Sequence, residues 1–191
     1  MDEKNKSGRR RKKLSLTIAV VAVFAVIIAA GGVGLGIWHE QPGFCNTLCH
    51  QPMDAYVKSY ESEGTLMVSQ HREADVTCLQ CHEPTIKEQL TEAGQWMKGS
   101  FRMDQNGMLT TVGVRADKTF CTGDQCHDFA EVVATTENWN GELDTNPHRS
   151  HQGVGIDCSN CHSAHEPSYL LCNACHEYDL PEGWVNPRSV K

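Results

Sequence analysis

The chain has 191 residues, a net charge of −7, and ten each of cysteine and histidine. Residues 1–13 hold seven Lys/Arg against two Asp/Glu, a net +5, which leaves −12 on residues 14–191. Such an acidic body argues against nucleic acid as a partner. It is either a plainly solvated surface or one suited to a partner with a basic docking face.

Residues 1–13 read as a basic cytoplasmic tail, with Arg9-Arg10-Arg11-Lys12-Lys13 at its end. Residues 14–38, from Leu14 to Trp38, then carry no charge. A helix of that length crosses a hydrocarbon core of roughly 30 Å. The run is too long for a cleaved signal peptide, and Ala29-Ala30-Gly31 is a poor cleavage site. The expectation is a retained single-pass anchor in the cell membrane. Flanking positive charge keeps the N-terminus inside, and residues 39–191 form one extracytoplasmic domain. Trp38 and His39 fall at its outer interface.

That domain is poor in Ile, Leu and Phe, so it cannot easily offset its conformational entropy by apolar burial alone. Its cysteines fall into five pairs: Cys45/Cys49, Cys78/Cys81, Cys121/Cys126, Cys158/Cys161 and Cys172/Cys175. In every pair a histidine follows the second cysteine: His50, His82, His127, His162 and His176. This is the pattern of covalent haem attachment, in which two thiols bond the vinyl groups and the adjacent imidazole meets the iron. Three motifs have the standard spacer (CLQCH, CSNCH, CNACH), and two are stretched (CNTLCH, CTGDQCH). Two other readings compete: a zinc ribbon at Cys158/Cys161 and Cys172/Cys175, or five disulfides. Neither accounts for the five histidines. The expected cofactor is haem c, five per chain.

Five histidines remain: His39, His71, His148, His151 and His165. Their number suggests irons with two imidazoles each, which conduct electrons rather than bind substrate. His71, His148, His151 and His165 lie close to haem motifs in sequence. His39 reads equally as an interfacial polar residue. Met53, in CHQPM, is a candidate ligand near the first haem or a gap-filling side chain.

Between the motifs, residues 54–70 look helical and polar. Residues 84–103 begin with Pro84 and carry Ile86, Leu90, Trp96, Met97 and Phe101 as a rough helical stripe, suited to a membrane surface or a haem edge. Asn106-Gly107 marks a turn, and residues 128–147 read as a short helix and a polar loop. The fold class is therefore one N-terminal transmembrane helix followed by a small, mostly α and irregular multihaem c-type cytochrome domain.

These features resemble the NapC/NirT/NrfH group of membrane-anchored multihaem cytochromes. The match rests on the anchor, a first motif close behind it with Met53, His71 in QHREADVTCLQCH, and the Trp96 helix. The later half, with HRSH, CSNCHSAH and CNACH, is similar to small tetrahaem cytochrome c3-like domains that feed flavin-containing reductases. Together the resemblance covers most of residues 9–178. It implies oxidation of membrane quinol, menaquinol in anaerobic respiration, and electron delivery to an extracytoplasmic reductase. A tethered carrier reduced by another protein is the alternative, and a nitrite-type reductase a third. Three features depart from the group: CHxxM instead of CHxM, the stretched first spacer, and five motifs instead of four. Lys87, Glu88 and Glu92 are candidate groups for a quinol site.

Overall fold

A computed structural model describes residues 2–110, 114, 116–123, 126–142, 144–149 and 156–189, with the backbone alone for residues 2–13. Eight α-helices follow one another: α1 (Asp2–His39), α2 (Pro42–Cys49), α3 (Gln51–Glu61), α4 (Met67–Glu73), α5 (Cys78–Cys81), α6 (Ile86–Met97), α7 (Lys118–Cys121) and α8 (Phe129–Thr135). Short 3-10 turns lie at Trp139–Gly141, Cys158–Asn160, Leu171–Ala174 and Pro187–Ser189. Among the described residues there is no strand, only bridges between Met103 and Leu109 and between Tyr169 and Val185.

The first helix runs through the basic tail as well as the apolar segment, so the tail is continuous with the span. Its Leu14–His39 part has a mean hydropathy of 2.7 and no buried residue, which suits a membrane anchor. Trp38 and Phe44 meet edge to face at 4.8 Å, and His39 meets Phe44 at the same distance. These contacts fold α2 back onto the outer end of α1. The polar segment expected at residues 54–70 is two helices, because the chain extends at Ser62 and Leu66 between α3 and α4. The stripe expected over residues 84–103 also shortens. Helix α6 ends at Met97, so Phe101 lies beyond it.

Apolar burial is sparse. Val57, Tyr60 and Leu170 are the buried large apolar residues among those described, as a composition poor in aliphatics dictates. Local hydrogen bonds do much of the ordering. Thr85 and Glu88 form a reciprocal capping box that starts α6, with Glu88 Oε2 accepting from Thr85 N at 2.7 Å. Asp117 and Asp128 cap α7 and α8, each accepting a backbone N–H at 2.8 Å.

Long-range ties close the domain. Val68 N donates to Ala164 O at 3.0 Å, and Tyr60 Oη donates to Val76 O at 3.0 Å. The C-terminal segment straps back through Val185 N to Ser168 O at 2.9 Å. Gly183 allows that strap: its φ is +78°, and a Cβ there would overlap the Thr65 side chain.

Candidate haem-binding sites

All five motifs share one backbone device. The N–H of His82, His162 and His176 donates to the carbonyl of the first cysteine of its own motif, each at 2.8 Å. The stretched CTGDQCH reaches the same closure, with His127 N donating to Cys121 O at 3.1 Å. In CNTLCH the bond starts one residue later, from His50 N to Asn46 O at 2.9 Å. There the two cysteines sit four apart on α2, which puts both on one helix face. His50 itself is a pivot with φ +48° between α2 and α3, an uncommon conformation for a residue with a Cβ.

The histidines pair across the fold. His71 and His127 have ring centroids 5.9 Å apart, His82 and His165 6.3 Å, and His148 and His162 6.2 Å. Two imidazoles binding one metal from opposite sides, with bonds of about 2.0–2.1 Å, hold their centroids roughly 6 Å apart. The spacing therefore fits a shared iron in all three pairs. Each pair joins a motif histidine to one of the histidines predicted as a second ligand.

The second partners are oriented for ligation. His71 Nδ1 donates to Met67 O at 2.8 Å. His165 Nδ1 lies 2.8 Å from Ser59 Oγ, whose own proton goes to Tyr56 O at 2.7 Å. His148 Nδ1 lies 3.0 Å from Thr136 Oγ1, which can donate to Val132 O at 2.8 Å. In all three the proton belongs on Nδ1, which leaves Nε2 as the metal-binding atom.

The electrostatics agree. Burial pushes the His165 imidazole down to about 4, helped by neighbouring His82. Desolvation lowers His82 and His148 as well. His82 keeps an exposed edge, and its lowering comes from the protein packed around the rest of the ring. His162 is lowered by burial first and then by His148 and His127. Neutral imidazole is the form that binds iron.

The thiols tell against the two competing readings. No two of the ten cysteines are joined in a disulfide. Among the described residues no group of three or more His, Cys, Asp or Glu forms a metal cage, so the four cysteines of the zinc-ribbon reading do not converge. Burial raises Cys45, Cys49, Cys78, Cys81 and Cys161, and pushes Cys121 up to about 12 with the help of Cys158.

Consecutive motifs are also neighbours in space. Cys45 lies near Cys78, Cys81 near Cys126, Cys121 near Cys158, and Cys161 near Cys172. The five motifs thus run through the domain in sequence order.

The remaining predicted ligands lie outside these three pairs. His50 meets no second imidazole among the described residues, and Met53 lies three residues on in the first turn of α3, its N–H bonded to His50 O at 2.8 Å. The His176 ring packs against Tyr178 at 5.4 Å. His151 lies outside the described residues. Two groups had no sequence signal. Trp184 meets His162 edge to face at 5.1 Å, and Ser59 accepts from His165 although 106 positions separate them.

Helical and irregular structure organised around paired thiols and paired imidazoles defines a multihaem c-type cytochrome, a protein that transfers electrons. The chain belongs to the cytochrome c3 family, whose model matches residues 70–177. It is also similar to the cytochrome c-type protein Cgr1 of Eggerthella lenta, at 35% identity over 190 residues that cover 87% of this chain and 85% of that protein. No solved structure matches. Membership implies covalently bound haem c, and the motif geometry fits that group.

Proposed function

We propose that this protein is a membrane-anchored pentahaem cytochrome that takes electrons from membrane menaquinol and passes them to an extracytoplasmic reductase in anaerobic respiration. Haem iron held by two imidazoles exchanges one electron without opening a coordination position. In this reading Cys45, Cys49, Cys78, Cys81, Cys121, Cys126, Cys158, Cys161, Cys172 and Cys175 hold five haems. His50, His82, His127, His162 and His176 are the motif ligands. His71, His148 and His165 complete His127, His162 and His82, while His151 and Met53 are the candidates for the other two irons.

The observation that carries the quinol reading is the Trp38–Phe44 contact, which ties the first motif to the outer end of α1. A lipid-soluble donor at the membrane surface meets that motif first. Motif order then leads away toward the Cys172/Cys175 end, where Cys175 and His176 are exposed and a partner can dock. Of the three groups suggested for quinol, Glu88 is engaged as the cap of α6, whereas Glu92 lies near Cys49 and His82 and is the better proton acceptor. The basic tail stays in the cytoplasm. The resemblance to NapC/NirT/NrfH cytochromes supports the same direction of flow and, through the c3-like half, a flavin-containing reductase as acceptor.

The test compares the full chain with a form lacking residues 1–38, both carrying haem, mixed anaerobically with membranes containing menaquinol. Fast appearance of reduced-haem absorption in the full chain alone supports the proposal. Equal rates in both forms overturn it and favour the tethered carrier.

A further inference from the structure

Outside α1, the strongly exposed large apolar residues among those described are few, and they concentrate on α6. Ile86 is 76% exposed, Leu90 69%, Met97 73% and Trp96 37%. The spacing of Ile86, Leu90, Ala93 and Met97 places them along one stripe of the helix. The helix is firmly started by its Thr85/Glu88 box, so this stripe is preformed. Among the described residues, no other helix packs closely against it.

A free-standing apolar stripe in water costs free energy in proportion to its area. The position of α6 indicates what covers it. The helix begins four residues after His82. Its Glu92 is near Cys49 at the end of α2, and α2 is clasped to the outer end of α1 by Trp38 and Phe44. Leu48 on α2, next to Cys49, is a further exposed apolar residue. The polar face of α6 therefore turns toward α2 near the outer end of α1, the stripe faces away from the domain, and Trp96 suits the headgroup level.

We propose that α6 lies along the outer surface of the membrane with Ile86, Leu90 and Met97 in the lipid, as a second contact that holds the first two motifs against the bilayer. A stripe flanked by Lys87, Glu88 and Glu92 has the composition of an interfacial helix, too polar to span and too apolar to be left in water. This rests on the reading of α1 as an anchor, and the two can fail separately.

The experiment uses the full-length haem-bearing protein in phosphatidylcholine nanodiscs containing a phospholipid with a photoactivatable acyl chain. Cross-linked residues are mapped by peptide mass spectrometry. The expected result is lipid adducts within residues 86–97 in addition to α1. A Leu90→Glu, Met97→Glu variant should lose the α6 adducts, keep those of α1 and retain its haem spectrum. Adducts on α1 alone would overturn the proposal, because α6 would then face a haem or a protein partner. Adducts on α6 without α1 would retain the surface helix and remove the anchor.

Discussion

His148 and His162 face each other with ring centroids 6.2 Å apart and planes within 4° of parallel, too far for contact and right for a shared iron. One ring follows a haem motif's second cysteine, and the other comes from the loop beyond α8. Replacing His148 with alanine should convert one iron to high spin and leave the others low spin. Low-temperature magnetic resonance reads this directly. An unchanged low-spin population would show that His148 is not a ligand.

Ser59 Oγ accepts a hydrogen bond from His165 Nδ1–H and donates its own to Tyr56 O. Ser59→Ala leaves a buried imidazole donor without its partner, at a cost of about 1–3 kcal/mol. It also withdraws the hydrogen bond that raises ligand basicity, so one haem potential should move upward. Denaturant titration and a redox titration check the two effects. A fall in stability with no change in any potential would remove the second.

Burial places the His165 pKa at about 4, against an ordinary value of 6.5. Between these values the unfolded chain takes the proton and the folded chain does not. Stability therefore rises with pH through this window and is lost as pH falls from 6.5 to about 4. Holding a metal through Nε2 would keep His165 neutral and would act in the same direction. Above pH 5 most carboxylates have not yet protonated, so a decline in denaturation midpoint from pH 6.5 to 5 reports on such histidines. A flat midpoint over that range contradicts the assignment.

Gly183 turns the C-terminal strap so that Trp184 reaches His162. Alanine there meets both an unfavourable positive φ and the Thr65 side chain, and should cost about 1–3 kcal/mol. Thermal unfolding of the haem-bearing protein measures it. The Trp184→Ala variant should instead shift the potential of the haem bound through His162 and change stability less sharply.

The candidate attachment motifs are local in the sequence, because a cysteine pair and its histidine form one unit, closed by a single backbone hydrogen bond such as His82 N to Cys78 O. The apolar span was legible from the charge-free run between Lys13 and His39. The choice of second ligand was not. His71 precedes the second motif, yet its ring faces His127 of the third, and His165 follows the fourth motif but faces His82 of the second. Proximity in sequence misleads there, because the long-range tie from Val68 to Ala164 decides which loops meet. The amphipathic stripe on α6 was visible, but Phe101 was wrongly included since periodicity does not mark where a helix stops.

The spacers of CNTLCH and CTGDQCH differ from CxxCH, yet both close on their histidine through a backbone bond as the shorter motifs do. The account therefore predicts that they are haem sites like the rest. The most direct test is the intact mass of the protein matured in a host competent for c-type cytochromes, followed by peptide mapping. The predicted mass is that of the polypeptide plus five haems, with one haem on the Cys45/Cys49 peptide and one on the Cys121/Cys126 peptide. A mass of the polypeptide plus three haems, with those two peptides bare, would contradict it.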